Sequence, residues 1–323
     1  MLSSLRLARD RYPLRQNGER QPCNLCGGED RVVVRTRDRY LNRLVNVMCR
    51  HCGLVFLDPM PNDADVDNYY RHFFWSASQG GDEPPAKRIF RDTQNAHGRL
   101  NGVAPFVKPG ARILDVGSGS GAFLGQAKKA GFVVEGIEPN IGYARYTERT
   151  FGVKVHTAPL NEVDFGDRKF DLITCNHALE HMRDPIGALR RFHALLEPDG
   201  HIDIAVPDLG EANRSPLRHL HSGHLFGFTH ETLVMMAAKA GFEAIDEGRH
   251  CTLHLFRRLP GPDPNWFRYP GHAAANEAMF RQRTVLRYLL TAKSFARIPS
   301  RISRWLSDVR GTDTSAGPNR PSA

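Results

Sequence analysis

The run Ile113-Leu114-Asp115-Val116-Gly117-Ser118-Gly119-Ser120-Gly121 constrains this chain more than any other stretch. An apolar strand that breaks into alternating glycines and then into a helical pattern reads as a buried strand, a tight turn and a helix start. Glycines at such a turn accept positive φ and let a ligand approach the main chain with no Cβ in the way. Gly117, Gly119 and Ala122 also satisfy the dinucleotide pattern G-x-G-x-x-G/A, so the turn predicts nucleotide binding without naming the nucleotide.

Two acids narrow the choice. Asp115, two residues before the first glycine, is awkward beside a pyrophosphate but suits a cationic, amine-bearing ligand such as S-adenosylmethionine. Glu138 ends the next apolar run, Val133 to Glu138, where a carboxylate accepts hydrogen bonds from both ribose hydroxyls. NAD-binding folds place an acid there too, so Glu138 adds binding but not identity.

The chain has 323 residues, enough for a full α/β domain with a smaller module and a tail. No apolar run approaches the roughly 18 residues that span a bilayer, and the N-terminus lacks the apolar centre of a signal peptide, so the expected location is cytoplasmic. A net charge of +9 favours acidic partners. Much of that excess falls between Arg281 and Arg310, where eight Arg and Lys face the single acid Asp308.

Residues 1–20 are polar and aperiodic and read as a mobile arm. Residues 21–60 hold Cys23-Asn24-Leu25-Cys26 and, after 22 intervening residues, Cys49-Arg50-His51-Cys52. Each C-x-x-C pair puts two thiolates on one knuckle, and two knuckles complete a tetrahedron for zinc. With strands expected at Arg31 to Thr36 and Leu41 to Met48, this is a zinc ribbon with a structural metal held by Cys23, Cys26, Cys49 and Cys52. Residues 61–98 form an aromatic linker and lid. Tyr69, Tyr70, His72, Phe73, Phe74 and Trp75 are expected as an interdomain packing surface, and Ser76 to Pro85 as a flexible loop.

From Ala86 onward helix and strand alternate, which means a parallel sheet with crossover helices. Helices are expected at 86–106, 122–130 and 141–151, with strands at 133–138 and 154–157. Phe170 to Cys175 is the next strand, followed by Asn176-His177-Ala178-Leu179-Glu180-His181. Asp184 caps a helix that has Pro185 at its first position. That helix stops at Pro198-Asp199-Gly200, which feeds the strand His201 to Val206.

Asp115 to Gly121, Glu138, Phe170 to His181 and Leu196-Glu-Pro-Asp-Gly200 together resemble the class I S-adenosylmethionine-dependent methyltransferases, over about residues 99–258. The cysteine pairs with Gly53-Leu-Val-Phe-Leu-Asp-Pro59 resemble the zinc-ribbon module of a methyltransferase subgroup that includes sugar C-methyltransferases. The resemblance implies an α/β, Rossmann-like, seven-stranded and mostly parallel sheet. Its last strand is antiparallel and comes from a hairpin of Phe242 to Asp246 with Thr252 to Arg257, after a helix capped by Thr229. It further implies cofactor contacts from Asp115, Gly117, Ser118, Gly119, Gly121, Glu138, Pro139 and Asn176.

Proton removal from an acceptor has candidates in His181, His224 and His177, at the mouth of the sheet where such folds place ligands. His219, His221 and His230 complete a histidine-rich acceptor wall for which no second metal is expected. Residues 259–307 are read as a linker, Gly261 to Gly271, and a basic helical extension suited to docking on the domain, to a homo-oligomer contact or to peripheral membrane contact. Residues 308–323 are read as disordered. The resulting expectation is methyl transfer to a small-molecule or carbohydrate-linked acceptor such as a sugar nucleotide or glycan precursor. An RNA methyltransferase and a non-catalytic zinc-ribbon adaptor are the alternatives.

Overall fold

The computed structural model describes residues 14, 16–38, 43–73, 83–210, 220–221, 223–246 and 253–282. Most of the expected arm, Phe74 and Trp75, the loop up to residue 82, His219, the helices beyond 282 and the tail lie outside the described residues.

The glycine run folds as expected. Strand β4 (Arg112–Val116) carries Ile113 and Leu114 into the core and turns into helix α3 (Ala122–Lys129). Gly121 stands at the helix N-cap with φ +69, and a Cβ there would sit 2.3 Å from Thr147 Cγ2 and 2.4 Å from its Oγ1. Strand β5 (Val133–Ile137), helix α4 (Ile141–Phe151) and strand β6 (Val155–His156) follow, with Asn140 capping α4 through the Tyr143 N–H.

Strand β7 (Phe170–Asn176) then pairs with the other side of β4, so the sheet changes direction between β4 and β7. Open α/β sheets bind ligands at that reversal, beyond the carboxyl ends of the strands. Helix α5 (Pro185–Leu195) has Asp184 as its cap, accepting from the Gly187 N–H at 3.0 Å. The expected Pro198-Asp199-Gly200 turn lies inside strand β8 (Leu196–Ala205): the register jumps from Phe170↔Leu196 to Leu172↔His201. Proline has no N–H to donate to the ladder, so the turn bulges out of a strand that continues through it.

Helix α6 (His230–Lys239) is capped by Thr229, and β10 (Phe242–Asp246) and β11 (Leu253–Arg258) form the terminal hairpin. The sheet has seven strands in the order β10-β11-β8-β7-β4-β5-β6, with β11 antiparallel to both of its neighbours. This is the Rossmann-like, seven-stranded and mostly parallel arrangement that was expected. None of the described helices is long and apolar enough to cross a membrane.

The cysteine region forms a second sheet of β1 (Arg31–Arg37), β2 (Arg43–Cys49) and β3 (Val55–Leu57). Its fourth strand, β9 (Phe226–Gly227), comes from the loop that follows β8. The Gly261 to Gly271 segment is packed rather than free: Phe267 stacks on His51 at 4.7 Å, and Lys239 Nζ lies 4.6 Å over Trp266. Two aromatic rings inside an apparent linker explain the difference, since burying them outweighs the flexibility of its prolines. Helix α7 (His272–Gln282) docks on the cysteine region, with Asn276 Nδ2 donating to the Gly53 carbonyl at 2.8 Å.

A side chain at position 121 would meet both strain and a buried threonine. Gly121→Ala is expected to destabilise the protein by about 2–4 kcal/mol, measured as a lower urea midpoint at unchanged slope.

Candidate active site

A cleft of ≈ 1070 Å³ opens where β4, β5, β7 and β8 end. Each strand delivers a residue to it: Gly117 after β4, Glu138 after β5, Asn176 from β7 and Ala205 from β8. Gly117 has φ +75, and a Cβ there would lie 2.6 Å from Ala178 Cβ, so the first glycine is required by packing as well as by backbone angle.

Glu138 is buried and held from two sides. The Gly119 N–H donates to Oε2 at 2.8 Å and the Asn140 N–H to Oε1 at 3.0 Å. Two main-chain donors fix the carboxylate at the cleft wall, beside a loop that presents bare backbone. Ser118, Gly119 and Pro139 also line this part.

Asp115 and Gly121 lie behind the wall. Asp115, 2% exposed, accepts from Thr174 Oγ1 at 2.6 Å and faces Arg99 Nη2 at 3.5 Å. Arg99 reaches the cleft in its place, with its guanidinium 4.4 Å over the Phe123 ring. The same Nη2 is 3.8 Å from Asp203 Oδ2, so one cation serves two buried acids. Burial pushes the Asp203 carboxyl up to about 6.

Arg99 belongs to helix α2 (Ala86–Val103), which crosses the cleft opposite the glycine loop. Its cleft-lining residues Arg88, Asp92, Asn95 and Arg99 recur at spacings of four, three and four, which is one face of a helix. Asp92 receives Ser120 Oγ at 2.8 Å and Arg88 Nε at 2.6 Å, tying that face to the glycine loop. That polar stripe is the sequence signal for these residues, and it runs beside the buried face of Ala96, Leu100 and Val103 on the same helix.

The opposite end of the cleft holds His177, His181, His221 and His224 together. His177 takes φ +53, the one described non-glycine residue with positive φ. Histidine visits that region more readily than most residues, and single outliers of this kind cluster at functional sites. Tyr70, expected in a packing surface, reaches this end, where its hydroxyl donates to the Gly223 carbonyl and lies 2.9 Å from His181 Nδ1. Burial holds its hydroxyl well above its ordinary titration range, so it remains a donor. Its neighbour Tyr69 is core at 1% exposure, while His72 is exposed. His230 pairs its ring with His254 at 5.0 Å, away from this group.

The four cysteines converge elsewhere. Their sulfurs lie within 4.8 Å of one another, with Cys23–Cys52 and Cys26–Cys49 both at 3.5 Å. Tetrahedral thiolate coordination at about 2.3 Å places sulfurs about 3.8 Å apart, so the donor set fits a closed divalent site. The Cys23 side-chain hydrogen bond draws the Cys26 thiol down to about 7, and the Gly28 N–H reaches its Sγ at 3.4 Å.

Residues 88–247 match the family model of a methyltransferase domain. A ubiquinone biosynthesis O-methyltransferase of Haemophilus ducreyi is 33% identical over 101 residues, covering 28% of this chain and 43% of that protein. The Pseudomonas aeruginosa (strain LESB58) enzyme of the same description is 29% identical over 117 residues, 34% and 48% of the two chains. This chain therefore spans about half the length of the curated relatives it matches. Among solved structures, a Burkholderia thailandensis 1,6-didemethyltoxoflavin-N1-methyltransferase aligns with a TM-score of 0.49 at 23% identity, over 64% of this chain and 96% of that one.

The raised Asp203 carboxyl has a stability consequence. Its folded value lies above the ordinary aspartate value of 3.8, so the folded state holds the extra proton and stability falls as pH rises from about 4 to about 6. Asp203→Asn is expected to gain on the order of 1–3 kcal/mol at pH 7. That gain should fade to nothing below about pH 4, in paired urea denaturations of variant and wild type across the range.

Proposed function

We propose that this chain is an S-adenosylmethionine-dependent methyltransferase acting on a small-molecule acceptor. The observation that carries the reading is Glu138, a buried carboxylate oriented by two main-chain N–H groups at the carboxyl end of β5 and next to the glycine loop. That placement suits the two hydroxyls of a ribose. At ≈ 1070 Å³ the cleft lies just above the usual range of ligand sites of about 300–1,000 Å³, which leaves room for an adenosyl ligand and an acceptor together. The matched methyltransferase domain covers the same residues.

When bound, the cofactor supplies an electrophilic sulfonium methyl group. The chain's contribution is alignment and proton handling. Gly117, Ser118 and Gly119 give close main-chain approach, Pro139 flanks the adenosyl side, and Asn176 lines the path toward the histidines. Holding two reactants in line accounts for much of the acceleration in such displacements. Asp115 acts through Arg99, which it fixes at the cleft.

Within the small-molecule class we favour a carbohydrate-linked acceptor, such as a sugar nucleotide or glycan precursor. The support is the resemblance of the Cys23–Cys52 ribbon and its continuation to Pro59 to the module of sugar-modifying methyltransferases. We assign zinc to the four thiolates as a structural ion, since four protein ligands close its coordination sphere. An RNA acceptor is disfavoured by the rim of the cleft. There Arg71 pairs with Glu162, Arg88 with Asp92 and Arg183 with Asp63, whereas a phosphate backbone requires unneutralised cations.

Calorimetry should give saturable S-adenosylmethionine binding that Glu138→Ala weakens by about 10–100-fold, the loss of charge-assisted hydrogen bonds worth roughly 1.5–3 kcal/mol. Absence of binding to the wild type would favour the adaptor reading. His181 and His224 carry the acceptor chemistry in this proposal. Alanine at either is expected to lower turnover in a screen of nucleotide sugars and hydroxylated metabolites, by roughly 100-fold or more, with cofactor affinity unchanged. Unchanged rates for both would remove the histidines from the mechanism.

A further inference from the structure

Glu180 is 1% exposed, and neither of its carboxylate oxygens has a hydrogen-bond partner among the described residues. Three imidazoles face its Oε1: His177 Nδ1 at 3.5 Å, His181 Nε2 at 3.8 Å and His224 Nε2 at 4.0 Å. All three distances exceed the hydrogen-bonding range. A buried carboxylate with no direct partner carries a desolvation cost of several kcal/mol, so the space it faces calls for positive charge.

The orientation of His181 sharpens this. Its Nδ1 contacts the Gly223 carbonyl, which can only accept, so Nδ1 carries the proton. In the neutral ring Nε2 is then a lone pair aimed at Glu180. Two acceptors facing each other across 3.8 Å repel unless a cation lies between them. A direct imidazolium–carboxylate bond would close to about 2.7–2.9 Å, which this pair does not. Anchoring of one ring nitrogen on a main-chain carbonyl is also the outer arrangement that metal-ligating histidines use to fix their tautomer.

We propose that Glu180, His181 and His224 bind a divalent transition-metal ion on the acceptor side of the cleft. Their three ligand atoms lie within 4.8 Å of one another. Coordination at about 2.0–2.2 Å requires edges of about 3.0–3.5 Å, so small side-chain rotations complete the site. Two imidazoles and one carboxylate suit zinc, cobalt, iron, nickel or manganese better than calcium or magnesium. Because all three residues line the cleft, the remaining positions of the ion open toward it. Those positions suit an acceptor with neighbouring oxygen donors, such as a vicinal diol or a hydroxy-carbonyl compound. The site is preorganised, since Leu225, next to His224, donates its N–H to the Glu180 carbonyl at 2.9 Å.

The inference goes beyond methyl transfer, and its test needs neither cofactor nor acceptor. Cobalt(II) is titrated into the full chain and followed by absorption, because thiolate-bound cobalt shows strong near-ultraviolet charge transfer that imidazole and carboxylate ligands lack. A second cobalt without that band is expected in the wild type, binding in addition to the one held by the thiolates. Glu180→Gln and His224→Ala should weaken it at least about 10-fold, and Tyr70→Phe, through His181, by about 10-fold. The proposal is overturned if the wild type binds cobalt only at thiolates, or if the second cobalt survives both Glu180→Gln and His224→Ala unchanged. Melting curves identify any variant that does not fold, in which case His224→Gln and the wild-type spectrum decide. Cobalt binding without methyl transfer would sink only the preceding proposal, and methyl transfer without cobalt binding only this one.

Discussion

A short run of main-chain hydrogen bonds holds the two sheets of this protein to each other and to the site. The Leu57 N–H of the cysteine sheet donates to the Leu225 carbonyl at 3.0 Å, and the Leu225 N–H donates to the Glu180 carbonyl at 2.9 Å. Leu225 therefore stands as a rung between β3 and the turn after β7. Phe226 and Gly227 extend the contact by pairing with Phe56 and Val55. Without this rung the loop after β8 would have no sheet to join, and His224 would have no fixed position opposite His181.

The remaining constraints are electrostatic. Arg99 sits between Asp115 and Asp203 beneath the cofactor half of the cleft, and Glu180 sits among imidazoles beneath the acceptor half. Asp115, Asp203 and Glu180 are buried, and buried charges contribute little net stability while fixing geometry where they are well paired. Arg99 is well placed to do so: a planar cation stacked on Phe123 cannot leave two carboxylates without exposing them unpaired. The elements that bring these groups together, β4, β7, β8 and α2, are the central strands and the helix across from them.

The sheet, and the glycine loop and Glu138 as cleft-lining residues, were legible in the sequence because their signals are local. The apolar run before Gly117, the acid ending β5, the Asp184-Pro185 cap and the paired cysteines each state their structure within a few residues. The acceptor half was not legible in the same way. Tyr70, Glu180 and His224 are separated by more than 40 residues from one partner or another, and a two-residue strand such as Phe226–Gly227 has too little pattern to announce a pairing with β3. Among the histidines after β8, nothing in the spacing separates His224, in the cleft, from His230, turned toward His254. Asp115, the conspicuous acid beside the glycine loop, is met by Thr174 and Arg99, and neither partner can be read from the residues around it in sequence.

This division between local and distant signals matches a division of labour. The proposed cofactor half rests on the glycine loop and Glu138, whose carboxylate is held by the N–H groups of Gly119 and Asn140, both close to it in sequence. The acceptor half draws on four segments: the Tyr70 turn, the turn after β7, the loop after β8 and, through Leu57, the cysteine sheet. A displacement of β3 would be transmitted through Leu225 to both His224 and Glu180 while leaving Glu138 in place. On the proposed reading the cysteine sheet is part of the acceptor wall, and loosening it would disturb the His224 and Glu180 geometry before that of Glu138.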